Sequence, residues 1–373
     1  MRHRRTTFPN VASAAERRAA NLFIADLLGI PVARRRERLQ PTATAASPAP
    51  RPVEEAWAEN ALPEPTFPGR PASAPTGSAF MRTIWGEGSP NAAAWTRREE
   101  AMIAQLLAGN MPSWLRQWIP IEVQASSPNV KVRVLPDYLC VGDDADFRHV
   151  PLDQHSAQRV ADSFGASLPT AKICHAIYRA TPERQRIGAI NRDYFVTPWT
   201  RRKLIRQAWT QTSTAAYDEH SVAIQSAMTA AGIRAGQLIS GHKKDVILAS
   251  GLHRQPRKIA FHGFYDRRGF PFEPCYEVKG GPLPSCNKEV PTLAHPEGRF
   301  SDYSQGVRLL HPVMQIDDRL ALVREVLTSR TLSPLISSEG PIDPPRIPRA
   351  PAPSAREEHG ESGRRECGCG GHK

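Results

Sequence analysis

Two strand-like stretches, RKIAFHGFYDRRG from Arg257 and RFSDYSQGVRLLHP from Arg299, carry polar residues that could do chemistry. His262 lies in the first, and Asp302, Tyr303, Ser304 and Arg308 crowd the second. A serine nucleophile needs a histidine to take its proton and a carboxylate to orient that histidine. Ser304, His262 and Asp302 are therefore candidate catalytic residues, with Tyr303 and Arg308 beside them. The competing reading is structural, with Tyr303 and Arg308 as cross-strand surface pairs and His262 as a half-buried residue whose hydrogen bonds are met. A second cluster, Ser240-Gly241-His242-Lys243-Lys244-Asp245, lies between two apolar runs. Neutral imidazole and carboxylate suit zinc and similar divalent ions, which makes His242 and Asp245, together with His262, candidate metal ligands. A turn rich in solvated charge accounts for the same residues.

The remaining reactive side chains point less sharply. The six cysteines are at 140, 174, 275, 286, 367 and 369. Cys275 and Cys286 flank CYEVKGGPLPSC, a loop that a disulfide would close in an exported protein. Cys140 and Cys174 sit among apolar residues and read as buried thiols. Cys174 and His175 form no dyad, because helix neighbours point about 100 degrees apart. Cys367, Cys369 and His372 offer soft-metal ligand types on a glycine-rich tail without a scaffold. Asp143, Asp144 and Asp146 look like half a calcium loop, but the glycine and distal glutamate are missing, so an acidic turn is expected. No glycine-rich phosphate loop, GxSxG elbow or HExxH helix occurs.

A strand ending in His-Gly, followed some forty residues later by Ser-x-Gly-x-Arg-Leu, resembles the core of the L,D-transpeptidases. That family cross-links peptidoglycan through a cysteine in an SHGC-type motif. Here Gln305 stands where the family keeps histidine and Val307 where it keeps cysteine, and no thiol occurs between Cys286 and Cys367. The resemblance therefore does not imply cysteine acyl transfer in this chain. Over residues 109 to 341, PDYLCVGDDADFRHVPL, LPTAKI, GHKKDVILAS, DYSQGVRLL and SSEGPI resemble segments of uncharacterised bacterial proteins whose serine motif reads YSHGxRL. This implies a bacterial origin and one domain, and it brings no reaction.

The elements that must position these residues follow from patterning. With 373 residues, 40% of them hydrophobic, the chain can bury an ordinary core, while 35 prolines and a mean hydropathy of -0.44 set part of it aside. Residues 1–39 read as an Arg-rich arm, with a short helix capped by Ser13 and stopped at Gly29-Ile30-Pro31. Residues 40–78 read as a Pro/Ala-rich linker, 79–340 as one domain, and 341–373 as a disordered tail. In the domain, Thr96-x-x-Glu99 suggests a capping box, and WIPIEVQA and NVKVRVLPDYLCV suggest a hairpin. PLDQHSAQRVADSFG and LPTAKICHAIYRAT read as helices, as does most of 197–233. Strands are expected at QLISG, DVILAS, KIAFHGF, FEPCYEV and GVRLLHPVMQI, and a last helix at DDRLALVREVLTSR. The expected fold is α+β, a mostly antiparallel sheet with flanking helices and disordered arms.

Charge bounds the partners. Residues 1–52 hold ten arginines against Glu16, Asp26 and Glu37, leaving only about +5 of the net +12 for the rest of the chain. The arm suits a polyanion, and the near-balanced body ranks nucleic acid below a cell-wall polymer. No run approaches the roughly 18 apolar residues of a membrane span. Glu16, Arg17 and Arg18 interrupt the segment after Arg4-Arg5, against an ordinary signal peptide, so a cytoplasmic place or a non-classical export route is expected. The expected function is a bacterial envelope-directed hydrolase acting on peptidoglycan, with a divalent metal or a serine at the strand ends. The alternative is a non-catalytic binding or delivered protein whose basic arm engages a polyanionic partner.

Overall fold

Val130, Val132 and Val134 alternate with Lys131 and Arg133, and all three valines are completely buried. Burying each contributes roughly 1.5–3 kcal/mol, which fixes which face of that strand meets the core. The computed structural model describes residues 62–85, 92–124, 126–188, 212–266, 269–271, 276–277, 281–282, 286–294 and 300–349. In chain order they form α1 (Gly77–Thr83), α2 (Ala92–Leu107), β1 (Ile119–Gln124), β2 (Val130–Val134), β3 (Cys140–Gly142) and β4 (Phe147–His149). Next come α3 (Gln154–Phe164), α4 (Ala171–Ala180), α5 (Thr214–Ala230), β5 (Lys244–Val246) and β6 (Ile259–Tyr265). The remainder are β7 (Tyr276–Glu277), β8 (Gly281–Pro282), β9 (Thr292–Ala294), β10 (Gln305–Gly306), β11 (Val313–Ile316), β12 (Arg319–Leu322) and α6 (Val323–Thr328). The fold is α+β.

Two four-stranded sheets, ordered β1-β2-β11-β12 and β10-β5-β6-β9, carry the domain, and β3-β4 forms a separate hairpin. Pairing is antiparallel except between β10 and β5. One continuous apolar cluster runs from Phe80 to Ile347 and joins both sheets to the helices. Helix termini follow local chemistry. The Asp153 side chain accepts from Ser156 N–H to start α3, Gly165 at φ 69° ends it, and Thr170 caps α4 through Ile173 N–H. No described helix is long and apolar enough to cross a membrane.

Several expectations change. Helix α2 begins at Ala92, so Thr96 lies inside it and Glu99 turns into the core instead of closing a capping box. The stretch DDRLALVREVLTSR begins as a strand, because Asp317 at φ 51° turns the chain and β12 pairs back on β11 before α6 starts. QLISG is a loop whose Ser240 bridges Arg186, and GVRLLHPVMQI divides between the bends after β10 and strand β11. Part of the expected linker packs on the domain, with the Phe67 ring 5.7 Å from Trp118 and 5.0 Å from Phe164. At the other end Ile342 and Ile347 are buried. The helix near residues 13–30, the basic arm, Cys275 and the Cys367-Cys369-His372 tail lie outside the described residues.

Candidate metal centre

Two extended segments bring the centre together. The chain leaving β2 passes through Pro136, whose carbonyl accepts Ile239 N–H at 3.1 Å, so residues 136–138 lie beside residues 239–245. Side chains alternate along extended backbone. Asp137 accordingly meets His242 on one side while Tyr138 meets Asp245 on the other. The third member comes from the β3-β4 hairpin, whose register sets His149 opposite Cys140. Helix α5 then holds His149, with Ser221 Oγ accepting its backbone N–H at 2.8 Å.

The Asp137 carboxylate faces both imidazoles, one at each oxygen. His149 Nε2 lies 2.9 Å from Oδ2 and His242 Nε2 lies 3.1 Å from Oδ1, and the side chains are at most 2% exposed. Among the described residues these three form the one group of histidine, cysteine and carboxylate ligand atoms gathered within 4.8 Å of one another. Burial drives His149 down to about 4, against the pull of Asp137, and lowers His242 as well. Burial pushes the Asp137 carboxyl up, but its two histidine partners outweigh that and hold it well below the usual carboxylate range. At neutral pH the centre is one carboxylate with two neutral imidazoles, the protonation state in which these groups ligate metal ions. His242 Nδ1 is buried without a hydrogen-bond partner.

Around the centre, Lys243 Nζ donates to the Tyr303 carbonyl at 2.6 Å and sits 3.3 Å from His220 Nδ1. Burial lowers that amine to about 8. The His220 ring lies 4.7 Å from the Tyr303 ring, and its Nε2 has no partner. Arg308 donates from Nη1 to Leu135 O and from Nη2 to Ile239 O, both at 2.7 Å, with its guanidinium 4.5 Å over the Tyr138 ring. This one side chain ties together the two segments that carry Asp137 and His242. Gly306 of β10 is equally constrained, since a Cβ there would come within 2.5 Å of the Tyr138 ring.

Of the metal ligands expected from sequence, His242 is in the centre and Asp245 and His262 are not. Residues 242 and 245 are three apart, which sends them to opposite sides of extended chain. Asp245 Oδ2 accepts from Tyr138 Oη at 3.1 Å, and burial pushes its carboxyl up to about 7. His262 stands opposite Asp245 in the β5-β6 register, but its Nε2 meets Tyr265 Oη at 2.9 Å, and burial lowers it to about 3. The expected triad does not assemble either. Ser304 Oγ donates to Asp302 Oδ1 within a local turn, and Lys244 Nζ lies 3.5 Å from Asp302 Oδ2. Tyr303 contributes its carbonyl and ring, and Arg308 its backbone clamp. Nor is 240–245 a solvated turn, because Ser240, His242, Lys243, Lys244 and Asp245 are all buried. The acidic residues 143–146 are structural, with Asp144 accepting from Ser113 and Asp146 from Ser78.

Sequence reasoning missed Asp137, His149, His220 and Ser221. A signal existed for the first two, since LCVGDDADFRHV reads as two short strands about an acidic turn, and a hairpin there returns His149 towards Asp137. A second buried polar group lies apart from the centre. Glu99 accepts from Ser301 Oγ at 2.7 Å and from Asp153 N–H, and burial with the nearby Asp153 raises its carboxyl to about 8. No family model matches this chain, and neither the curated proteins nor the solved structures contain a match.

Proposed function

We propose that this protein is a hydrolase that uses a divalent transition-metal ion held by Asp137, His149 and His242. The observation that carries the reading is one ionised carboxylate shared by the Nε2 atoms of two neutral, buried imidazoles. Asp137, His149 and His242 would hold the ion and leave coordination positions for water and substrate, and a bound divalent ion would supply Lewis-acid polarisation and a water acidified towards neutral pH. Lys243 and His220, paired beside the ligands, are the groups placed to handle protons. A cell-wall polymer is the substrate class to test first. Support comes from the resemblance to segments of bacterial proteins and from Cys286, which is disulfide-bonded as in proteins of oxidising compartments, its partner lying outside the described residues.

Complete burial of the three ligands favours a second reading, in which the ion is structural and the protein is a binding module whose basic arm engages a polyanion. One experiment separates the two. Full-length protein is assayed for metal content and for release of soluble fragments from purified peptidoglycan, before and after chelation, alongside His149→Ala and His242→Ala. The hydrolase reading expects near-stoichiometric metal, activity lost on chelation and regained with zinc or iron, and neither metal nor activity in the variants. Bound metal that governs thermal stability with no hydrolysis selects the second reading. A wild-type chain that takes up no metal overturns both.

A further inference from the structure

We infer that Ser221 is the positioning residue for His149, a hydroxyl that can reverse its hydrogen bond as the centre takes up a cation. The inference rests on the metal-binding reading above. Ser221 Oγ is fully buried on α5 and accepts His149 N–H at 2.8 Å, while His149 Nδ1 stands 3.3 Å away. A hydroxyl has one proton and two acceptor lone pairs. The ionised Asp137 carboxylate can only accept, so the His149 ring proton is on Nε2, donated to Asp137 Oδ2 at 2.9 Å. Nδ1 is then an acceptor, and with one Ser221 lone pair engaged by the backbone N–H the hydroxyl proton is directed to it.

Ligation through Nε2 requires the opposite tautomer. The Nε2–H bond breaks and an Nδ1–H bond forms, so His149 stays neutral and releases no net proton. Nδ1–H then donates to the second lone pair of Ser221 Oγ, whose own proton rotates away. A carbonyl or an alanine at this place could not serve both states, whereas a hydroxyl serves each. His242 has no equivalent, because its Nδ1 lacks any partner. Outer hydrogen bonds of this type typically change metal affinity by 10–100-fold.

The test uses metal-free full-length protein titrated with Zn²⁺ against a chromophoric chelator and with Co²⁺ followed by its visible spectrum. Ser221→Ala is expected to weaken Zn²⁺ binding by roughly 10–100-fold and to alter the Co²⁺ bands, with Ser221→Thr recovering both. If wild-type protein binds neither ion, the metal reading itself fails. If wild type binds and Ser221→Ala binds within threefold with an unchanged Co²⁺ spectrum, the Ser221 inference alone fails. Should the variants not fold, ¹⁵N spectra of wild-type His149 decide. The inference expects Nε2–H without metal and Nδ1–H with zinc, and the Nδ1–H form in the metal-free protein overturns it.

Discussion

Replacing Asp245 with asparagine tests whether this residue is a proton-holding core carboxyl or the metal ligand that its sequence neighbourhood suggested. Asp245 is 4% exposed, one of its oxygens accepts from Tyr138 Oη, and the other has no partner. Burial raises the carboxyl to about 7 from an ordinary value of 3.8. Between those values the folded chain keeps a proton that the unfolded chain releases, so stability falls as pH rises, by up to about 1.4 kcal/mol per pH unit. Integrated from about pH 5 to pH 7, this one group costs the wild type about 2 kcal/mol, or roughly 4–8 °C in Tm. The asparagine amide carries no charge at either pH, and contributions from other groups cancel on comparing the two proteins. Urea unfolding of wild type and Asp245→Asn at both pH values should therefore show the variant's relative stability rising by about 2 kcal/mol at the higher pH. The unpartnered amide shifts the variant's absolute stability equally at both pH values, so it drops out of the comparison. A difference that stays constant within about 0.5 kcal/mol, or loss of bound metal in Asp245→Asn, would refute the reasoning.

Two further outcomes follow from the same packing. Glu99, raised to about 8 by burial and by Asp153, should make stability fall between about pH 5 and pH 8, and Glu99→Gln should flatten that slope. Parallel Tm profiles for the two proteins would count against it. Gly306→Ala would drive a methyl to 2.5 Å from a Tyr138 ring held by Arg308 and Asp245, costing about 1–3 kcal/mol, and a melting temperature within 1 °C of wild type would contradict this contact.

Much of the scaffold was legible because local rules agree with the tertiary fold. The alternation of Val130, Val132 and Val134 marked β2 and its pairing with β1, and Asp153 and Gly165 bounded α3 at the expected places. The DDRLALVREVLTSR segment misled because its leucine spacing satisfies a helix, while the turn at Asp317 and pairing with β11 make Arg319–Leu322 the strand β12. Among site residues, His242 was legible as a histidine in a polar run between apolar ones. The hairpin that returns His149 towards Asp137 was legible, but nothing local in PDYL or DFRHV announces that the segment of His242 lies alongside them. The serine and arginine near residue 304 drew attention by type, yet Ser304 turns to Asp302 and Arg308 to backbone carbonyls. Gln305, beside that serine, is buried with both amide atoms unpartnered, so the interior does not satisfy it.

The ligands of the centre come from residues 137, 149 and 242, and β5, which begins two residues after His242, is held between β6 and β10, the latter ending at Gly306. During synthesis Asp137 and His149 emerge together, almost a hundred residues ahead of the third donor, and the strand beside that donor stays unpaired on one edge until residue 306 has been made. If an ion binds there, full coordination has to wait for nearly the whole domain to be made. A chain that crosses a membrane unfolded would arrive empty and load on the far side. Such mixed nitrogen and oxygen sites discriminate weakly by intrinsic affinity, so the ions available where folding finishes would decide which ion a filled centre holds.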